Sequence, residues 1–283
     1  MSWQLLIGLS IALYSINDLL HRTIMKNEGS DGYAQSIAFT ALGCVVFWII
    51  LILRGSILAF PTWDELTLFI TSALLSSAGM VFTFKGFQKI GASEHTVLLT
   101  TTQVWVLLGA VIVLKEQITL TKLAGAAAIL LGVIVAESKK GTFVFGRGAI
   151  YVLLSAYCFG VSSIISFFII REFDLYAYMA YSSLLVAVIL IIAHPKTIKK
   201  LRFYLRPRNA VNVVITSIND AFANIFGFIA YQVGRNALEI GPIMATQTIV
   251  TVLLAALILH ERDRLPQKII GAVVAVAGTV LLI

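Results

Sequence analysis

The sequence predicts an all-α membrane protein with ten transmembrane helices, arranged as two inverted five-helix repeats. Three observations predict this fold: the composition, the length of the apolar segments, and a register of matching residues in the two halves. Of the 283 residues, 59% are hydrophobic and 12% are charged, whereas an ordinary soluble domain carries about 25% charged residues. Apolar segments of about 17–25 residues suit a hydrocarbon core about 30 Å thick, and they make up most of this chain.

Ten apolar segments lie between charged residues or Pro and Gly breaks. The first is not typical of a signal peptide, because it lacks a basic start and carries Asn17 and Asp18. Pro61 precedes span 3, Pro195 follows span 7, and Pro266 lies in the first turn of span 10, where its missing N–H costs nothing. The predicted spans are 3–25, 33–53, 66–87, 94–114, 119–136, 147–170, 176–193, 210–233, 238–259 and 266–283.

The two halves of the chain are similar to each other at a fixed offset. A shift of 145 residues aligns Thr71-Ser72 with Thr216-Ser217, Ala92 with Ala237, Glu94 with Glu239, Glu116 with Glu261, Ser10 with Ser155 and Lys26 with Arg171; one further residue aligns Gly125 with Gly271 and Gly132 with Gly278. We therefore predict two repeats, 1–140 and 146–283. Five spans per repeat is an odd number, so the second repeat is inverted, an arrangement that recurs in secondary transporters.

The net charge of +7 lies mostly in short loops between the spans. The charge is therefore typical of loops that flank membrane spans and contact lipids, rather than of a nucleic-acid-binding surface. The loops after spans 1, 3, 5, 7 and 9 hold 16 of the 21 Lys and Arg residues, which by the positive-inside rule puts both termini outside the cytoplasm. Cys44 and Cys158 lie in apolar segments, so we expect no disulfide, no metal and no cofactor.

Short motifs in both halves resemble the EamA-type unit of the drug/metabolite transporter superfamily. The first copy carries Phe84-Lys-Gly-Phe-Gln-Lys-Ile-Gly-Ala-Ser, then Lys115-Glu116 and Gly125/Gly132; the second carries Ala230-Tyr231, Ala237, Gly241-Pro242, Glu261 and Gly271/Gly278. Val97 stands where the first copy of the family usually has the proline that Pro242 supplies in the second.

The resemblance covers essentially the whole chain and implies a ten-helix carrier of amino acids, nucleotide-related metabolites, sugars or drugs. It implies a central cavity lined mainly by spans 1, 3, 4, 6, 8 and 9. The family usually keeps both termini in the cytoplasm, against the charge count, so the orientation stays open.

Two aspartates lie inside predicted spans, Asp18 and Asp220. An ionisable group costs about 2.5–3.5 kcal/mol in a bilayer, so it normally faces the interior of the bundle or a water-filled path. Either residue could bind a substrate ammonium or carry a coupling proton; the alternatives are an interhelical hydrogen bond or, for Asp18, a position near the interface. Helical spacing places further polar residues on the same faces, which we expect to line the cavity: Tyr14, Asn17 and His21 on span 1, and Asn224, Gly227 and Tyr231 on span 8.

Other polar residues of the spans are candidates for the substrate pathway or for contacts between helices. They are Thr96, Thr100 and Gln103 on span 4, Gln247 and Thr251 on span 9, and Tyr157, Ser162 and Ser163 on span 6. Lys85, near the end of span 3, either extends to the interface or faces inward toward a carboxylate. We interpret Glu94 and Glu239 as helix caps, and Glu116 and Glu261 as residues that orient the turns into spans 5 and 10.

The combined pattern predicts a secondary transporter, an exporter or exchanger of small metabolites such as amino acids, working by alternating access in the inner (plasma) membrane of a prokaryote. Its partners would be a small-molecule substrate, a coupling proton and membrane lipids, and the protein would be a monomer or homodimer. The alternatives are a passive channel and a multidrug or cation efflux carrier. An enzyme is disfavoured, because the chain has no His-Glu-x-x-His, Gly-x-Ser-x-Gly or phosphate-loop motif.

Overall fold

The computed structural model describes residues 2–55, 61–114, 118–137, 146–234 and 243–282, and within them it contains helices but no strand. Its α-helices are α1 (Trp3–Met25), α2 (Gly32–Leu53), α3 (Trp63–Lys89), α4 (Ala92–Leu99), α5 (Thr102–Leu114), α6 (Leu120–Glu137), α7 (Arg147–Glu172), α8 (Leu175–Ala193), α9 (Pro207–Gly234), α10 (Gln247–Ile258) and α11 (Leu265–Leu281). A 3₁₀ helix, Pro195–Phe203, connects α8 to α9.

Polar residues fix where several helices begin. Asp31 and Asp174 act as N-caps, each accepting hydrogen bonds from the first backbone N–H groups of α2 and α8. Thr62 and Glu65 form a capping box at the start of α3. These caps satisfy donors that have no partner within the helix, so the apolar segments start at defined residues.

Six of the described helices are long and apolar enough to cross a membrane: α1, α2, α3, α7, α8 and α9. The helices at Leu120–Ala136, Ile243–Ile258 and Leu265–Leu281 are apolar but shorter. Because lipid cannot satisfy exposed backbone groups, a chain of this composition folded into apolar helices is an integral membrane protein.

Helices from the two halves of the sequence pack against each other in matching pairs. In the α1–α9 pair, the Ser10 hydroxyl donates to the backbone oxygen of Ala223 at 2.8 Å. In the α3–α7 pair, the Ser155 hydroxyl donates to the backbone oxygen of Gly79 at 3.0 Å. Ser155 is the residue aligned with Ser10 at the 145-residue offset, so the same side chain makes the same kind of contact in both halves.

Small residues of α6 (Gly125, Gly132 and Ala136) face small residues of α11 (Gly271, Ala275 and Gly278) within one chain. A methyl group added at Gly132 would lie 2.5 Å from the backbone oxygen of Gly271 and 2.7 Å from the backbone nitrogen of Ala275. Gly125 and Gly278 approach each other equally closely. Glycine therefore allows the backbones of α6 and α11 to touch at two levels.

Gly132→Ala is expected to destabilise the protein by about 1–3 kcal/mol, because the added methyl group forces the two backbones apart. The measurement is thermal unfolding of the purified protein in detergent. Gly8→Ala is the matched control, since nothing lies within 4 Å of a methyl group at that helical position, and it should leave the melting temperature unchanged or raise it. Equal effects of the two substitutions would contradict the close α6–α11 contact.

Candidate functional site

A cavity of about 810 Å³ lies between α2, α3, α7, α8 and α9. It extends from Asp220 on α9 to Ile170 and Leu175, which flank the connection between α7 and α8. Asp220 lies about 20 Å along α9 from its first residue, Pro207, and therefore near the middle of the bundle. The cavity thus runs from the centre to one end of the bundle.

The two ends of the bundle carry different contacts. At the Arg54 end, where α2 finishes and α7 connects to α8, the Arg54 guanidinium carbon lies 3.9 Å from the centre of the Tyr176 ring. At the opposite end, named here the Glu261 end, α1 and α3 finish and α4 begins. The cavity reaches the Arg54 end.

The cavity lining combines aromatic, hydroxyl and small apolar side chains with one charged residue. Asp220 is the only charged side chain among the described lining residues. The others are Phe39, Thr40, Gly43, Phe47, Ser76, Met80, Phe159, Ser162, Ser163, Ser166, Ile170, Leu175, Tyr178, Met179, Ser182, Ser183, Val186, Asn224 and Phe228. Of the α9 residues expected to face a cavity, Asp220 and Asn224 line this one, whereas Gly227 is not among its described lining residues.

Asp220 has a neutral neighbour rather than a cation. The Asn224 amide donates to one Asp220 carboxylate oxygen at 3.1 Å and to the Asp220 backbone oxygen at 2.8 Å. No salt bridge to Asp220 occurs within the described part of the chain. Because a lone carboxylate in a bilayer is costly, it needs a proton or a bound cation.

Hydroxyl groups form a connected network on the wall made by α3, α7 and α8. The hydroxyl oxygen of Ser162 lies 2.8 Å from those of both Ser72 and Ser76. The Tyr178 hydroxyl donates to the Ser166 hydroxyl at 2.6 Å. These groups can rotate to donate or accept, so this wall suits neutral polar groups of a ligand.

Two hydroxyls beside the cavity have no hydrogen-bond partner in the described residues, those of Thr40 on α2 and Ser182 on α8. Thr40 is only 7% exposed. Buried polar groups normally find a partner, so both hydroxyls are available to water or a ligand in the cavity.

Asp18 forms a second polar centre outside the cavity lining. Its carboxylate accepts hydrogen bonds from Thr251 at 3.3 Å and, at the distance limit, from Gln247 at 3.5 Å. Tyr14 lies one helical turn before Asp18 and within electrostatic range of both Asp18 and Asp220. Asp18 lies about 10 Å along α1 from its end at Met25, and thus nearer to the Glu261 end than Asp220 does.

Other residues expected on the α1 face contact helices instead of the cavity. The Asn17 amide donates to the backbone oxygen of Thr216 on α9 at 3.0 Å. The buried His21 ring lies 5.0 Å from the Phe39 ring and 4.9 Å from the Phe84 ring. This tight packing keeps α1 out of the cavity wall.

Of the other candidates, Ser162 and Ser163 line the cavity, whereas Thr100, Gln103 and Tyr157 lie outside its described lining. The Thr100 hydroxyl donates to the backbone oxygen of Val97 at 2.6 Å, and Gln103 is exposed on α5. Tyr157 is 42% exposed and packs on Trp105, with ring centres 4.9 Å apart.

Lys85 faces no carboxylate within the described residues. Its ammonium nitrogen lies 4.8 Å from the centre of the Tyr33 ring and 5.7 Å from that of Tyr151, a cation–π arrangement. The side chain of Tyr231 lies outside the described residues.

The lining differs from the cavity that the family resemblance implied. α2 and α8, which correspond to predicted spans 2 and 7, contribute much of the wall, whereas spans 1, 4 and 9 contribute none of the described lining residues. The physical reason is that α1 packs against α9 and α10, and α4 packs against α7 and α10. These helices lie beside the cavity rather than around it.

Predicted span 4 is two helices, α4 and α5, separated by a turn at Thr100 and Thr101. The Thr101 hydroxyl and backbone nitrogen both donate to the backbone oxygen of Leu98. In the described part of predicted span 9, Thr246 donates in the same way to Ile243 just before α10. Thr246 and Ile243 are the residues aligned with Thr101 and Leu98 at the 145-residue offset, so both halves break a span at the same place.

At the Glu261 end, one carboxylate joins the two halves of the sequence. Glu261 accepts hydrogen bonds from the backbone nitrogens of Ala92 and Ser93, at 3.1 and 3.2 Å, and from the Ser93 hydroxyl at 3.0 Å. Arg22 lies 3.5 Å from the same carboxylate and also donates to the backbone oxygen of Phe87. Glu261 thus caps α4, which corrects the interpretation that it orients the turn into span 10; Glu116 lies outside the described residues.

Gly91 makes this contact possible. It is the N-cap of α4, and its backbone is ordinary extended chain, so the requirement for glycine is one of space. A methyl group at Gly91 would overlap the Glu261 carboxylate. Only glycine lets the carboxylate approach the first turn of α4.

A second contact at the same end joins the 3₁₀ helix region to the α1–α2 connection. Lys200 donates to the Asp31 carboxylate at 2.6 Å, and the Tyr204 hydroxyl donates to the Asp31 backbone oxygen at 2.9 Å. Partial burial acts to raise the pKa of Asp31, but the hydrogen bonds from Lys200 and Ala34 outweigh it and the pKa is lowered. This contact is therefore strongest near neutral pH and weakens as acid protonates Asp31.

Comparisons with known proteins found one matching family and a solved structure of similar fold. The sequence profile of the EamA-like transporter family matches residues 1–137 and 146–283. A solved structure titled "Crystal structure of protein" superposes with a TM-score of 0.67 at 16% identity, covering 99% of this chain and 95% of that chain. At this identity the likeness concerns the fold alone. No curated protein matches the chain.

Proposed function

Because this chain belongs to the EamA-like transporter family, we propose that it is a secondary transporter that moves small metabolites across the membrane by alternating access. In this proposal the chain crosses the inner (plasma) membrane of a prokaryote ten times, as two inverted five-helix repeats, and exports or exchanges small metabolites. The matching breaks in spans 4 and 9 and the matching serine contacts of α1 and α7 support the repeat arrangement.

The observation that carries the proposal is the asymmetry of the two ends. The cavity extends from Asp220 to the Arg54 end, whereas Glu261, Arg22 and the first turn of α4 close the opposite end. A carrier needs a central site that opens to one side at a time. A passive channel, the alternative, needs a path open at both ends in its conducting state.

If the two inverted repeats exchange conformations, the protein reaches a second state of the transport cycle, in which the Arg54 end is closed. Glu116 is aligned with Glu261, and Asn236-Ala237 with Gly91-Ala92, at the 145-residue offset. We infer that the Arg54 end closes in the second state of the cycle; because Asn236 stands where the Glu261 contact requires Gly91, that closure is not a copy of the Glu261 cap. Substrate would then leave at the Glu261 end.

Asp18 suits the role of coupling residue. It lies nearer to the Glu261 end than Asp220 does, and its described partners Gln247 and Thr251 are neutral. Intramembrane carboxylates that pick up and release protons are typical of proton-driven carriers. We infer that Asp18 carries the coupling proton while Asp220 contacts the substrate.

Asp18→Asn is expected to abolish accumulation driven by a proton gradient while substrate exchange at equal concentrations on both sides continues, because only the coupling proton is lost. The measurement compares gradient-driven uptake with counterflow in proteoliposomes. Asp263→Asn, whose side chain is 79% exposed, is the control and should behave as wild type. Intact gradient-driven accumulation in Asp18→Asn would exclude Asp18 as the coupling residue.

The proposed function itself is tested by flux through reconstituted protein. We expect saturable counterflow of a labelled metabolite from a panel of amino acids, nucleosides, sugars and organic cations, and no ionic current in planar bilayers. Single-channel conductance with unsaturable flux would favour the channel.

A further inference from the structure

The charge of the cavity narrows the substrate class, an inference that rests on the proposed transport function. Among the described lining residues, the carboxylate of Asp220 has no cation to balance it. A substrate with a positive charge satisfies this carboxylate, whereas a substrate carboxylate would meet no positive group there. The α-carboxylate of an amino acid is thus unfavourable in this cavity.

Aromatic residues lie on the same side of the cavity as the acid. Asp220, Asn224 and Phe228 are spaced by one helical turn each and share a face of α9. Phe39 and Phe47 of α2, the neighbouring helix, also line the cavity. These rings suit the aromatic, apolar part of a ligand whose cationic group lies at Asp220.

The wall opposite Asp220 indicates which groups the uncharged part of the ligand carries. The hydroxyls of Ser162, Ser163 and Ser166 on α7 and Ser182 on α8 offer neutral donors and acceptors, and the Ser182 hydroxyl has no described partner. The cavity volume of about 810 Å³ lies within the 300–1,000 Å³ typical of drug-sized ligands. A free amino acid would fill only part of this space.

We propose that the cavity binds organic amines in their cationic form that carry an aromatic body with neutral polar groups and no carboxylate. The ammonium group contacts Asp220 and Asn224, and the neutral polar groups of the body face the serines of α7 and α8. No covalent step is involved.

Three probes with the same ring test the assignment: tyramine, tyrosine and 4-hydroxyphenylpropionate. They differ only in their charged groups: tyramine has an ammonium group, tyrosine has an ammonium group and a carboxylate, and 4-hydroxyphenylpropionate has a carboxylate. We expect purified full-length protein in detergent to bind tyramine at least tenfold more tightly than tyrosine and not to bind 4-hydroxyphenylpropionate, measured by calorimetry at pH 7. Asp220→Asn should remove the preference for tyramine, and Asp64→Asn, at an exposed position, should keep it.

Tyrosine or 4-hydroxyphenylpropionate binding as tightly as tyramine would overturn the assignment, as would the absence of tyramine binding at 10 mM. A preference for tyramine that survives in Asp220→Asn would overturn it as well. The proposed transport mechanism is judged separately, by the accessibility of the cavity from each side, which needs no ligand. The substrate class and the mechanism can therefore fail independently.

Discussion

Replacing Gly91 with alanine is expected to raise hydrogen–deuterium exchange in the first turn of α4 by about 10- to 100-fold. The added methyl group displaces the Glu261 carboxylate, so the backbone amides of Ala92 and Ser93 lose their acceptor. A hydrogen bond to a charged group contributes about 1.5–3 kcal/mol. Losing that free energy raises the population of the locally opened first turn, and hence its exchange rate, by about 10- to 100-fold. Mass spectrometry of the peptide spanning α4 measures the effect.

Gly146→Ala is a closely matched control for this experiment. Gly146 is the N-cap of α7, has the same backbone angles as Gly91, and has nothing within 4 Å of an added methyl group. Glu261→Gln should reproduce the Gly91→Ala effect, and the double variant should add little, because both changes remove one contact. Additive effects, or equal exchange in Gly91→Ala and Gly146→Ala, would contradict the proposed closure of the Glu261 end.

Asp220→Asn is expected to lower tyramine transport by at least about tenfold without unfolding the protein. The substitution removes the only described charge in the cavity lining but keeps the size and the hydrogen bond with Asn224. Since it also removes a lone carboxylate from the membrane interior, the melting temperature should stay level or rise. Uptake into proteoliposomes and thermal unfolding of the same preparation provide the two readouts.

Asp64→Asn controls for the loss of a carboxylate at an exposed position and should leave uptake unchanged. If Asp220→Asn transports every substrate of the panel at the wild-type rate across pH, Asp220 has no part in the mechanism. A lower melting temperature would instead indicate a structural role for the carboxylate.

The membrane class could be predicted from the sequence because it depends on local composition. Apolar segments of span length leave little alternative to membrane helices. Gly125, Gly132, Gly271 and Gly278 stand at matching positions in the two halves, and the structure places them where the backbones of α6 and α11 meet.

The helix break at Thr100 and Thr101 was not predicted, because the sequence contains no proline or glycine there. The break depends on the Thr101 hydroxyl and backbone nitrogen sharing the Leu98 carbonyl, a local choice that hydropathy does not reveal. The alignment of Thr101 with Thr246 is the one sign of the break in the sequence. It can be recognised only after the helix break in one of the two spans is known.

The cavity wall was predicted only in part. Asp220 and Asn224 stand out as polar residues in an apolar segment, whereas Thr40 and Tyr178 are ordinary residues of membrane helices. Their role depends on which helices pack tightly, and α1 leaves the wall because Asn17 and Ser10 bind the backbone of α9. Ser162 and Ser166, one turn apart on α7, were a usable signal for the hydroxyl wall.

The role of Glu261 depends on a contact between residues far apart in the sequence. Its partners Ala92 and Ser93 offer backbone groups, which leave no trace in residue identity. Gly91 is the detectable part of the contact, but a glycine before a helix has many explanations. Only the three-dimensional structure brings the two together.

Alternating access is tested most directly by the accessibility of the cavity from each side of the membrane. Ser163→Cys, in a background with Cys44 and Cys158 replaced by alanine, is labelled with an impermeant maleimide from either side. Asp64→Cys and Lys199→Cys, exposed at the Arg54 and Glu261 ends respectively, identify the sides.

We expect Ser163→Cys to react mainly from the side of Asp64→Cys, and Glu261→Gln to increase its reaction from the side of Lys199→Cys. Equal reaction from both sides without the Glu261 substitution, or no change when Glu261 is replaced, would contradict alternating access controlled by the Glu261 end.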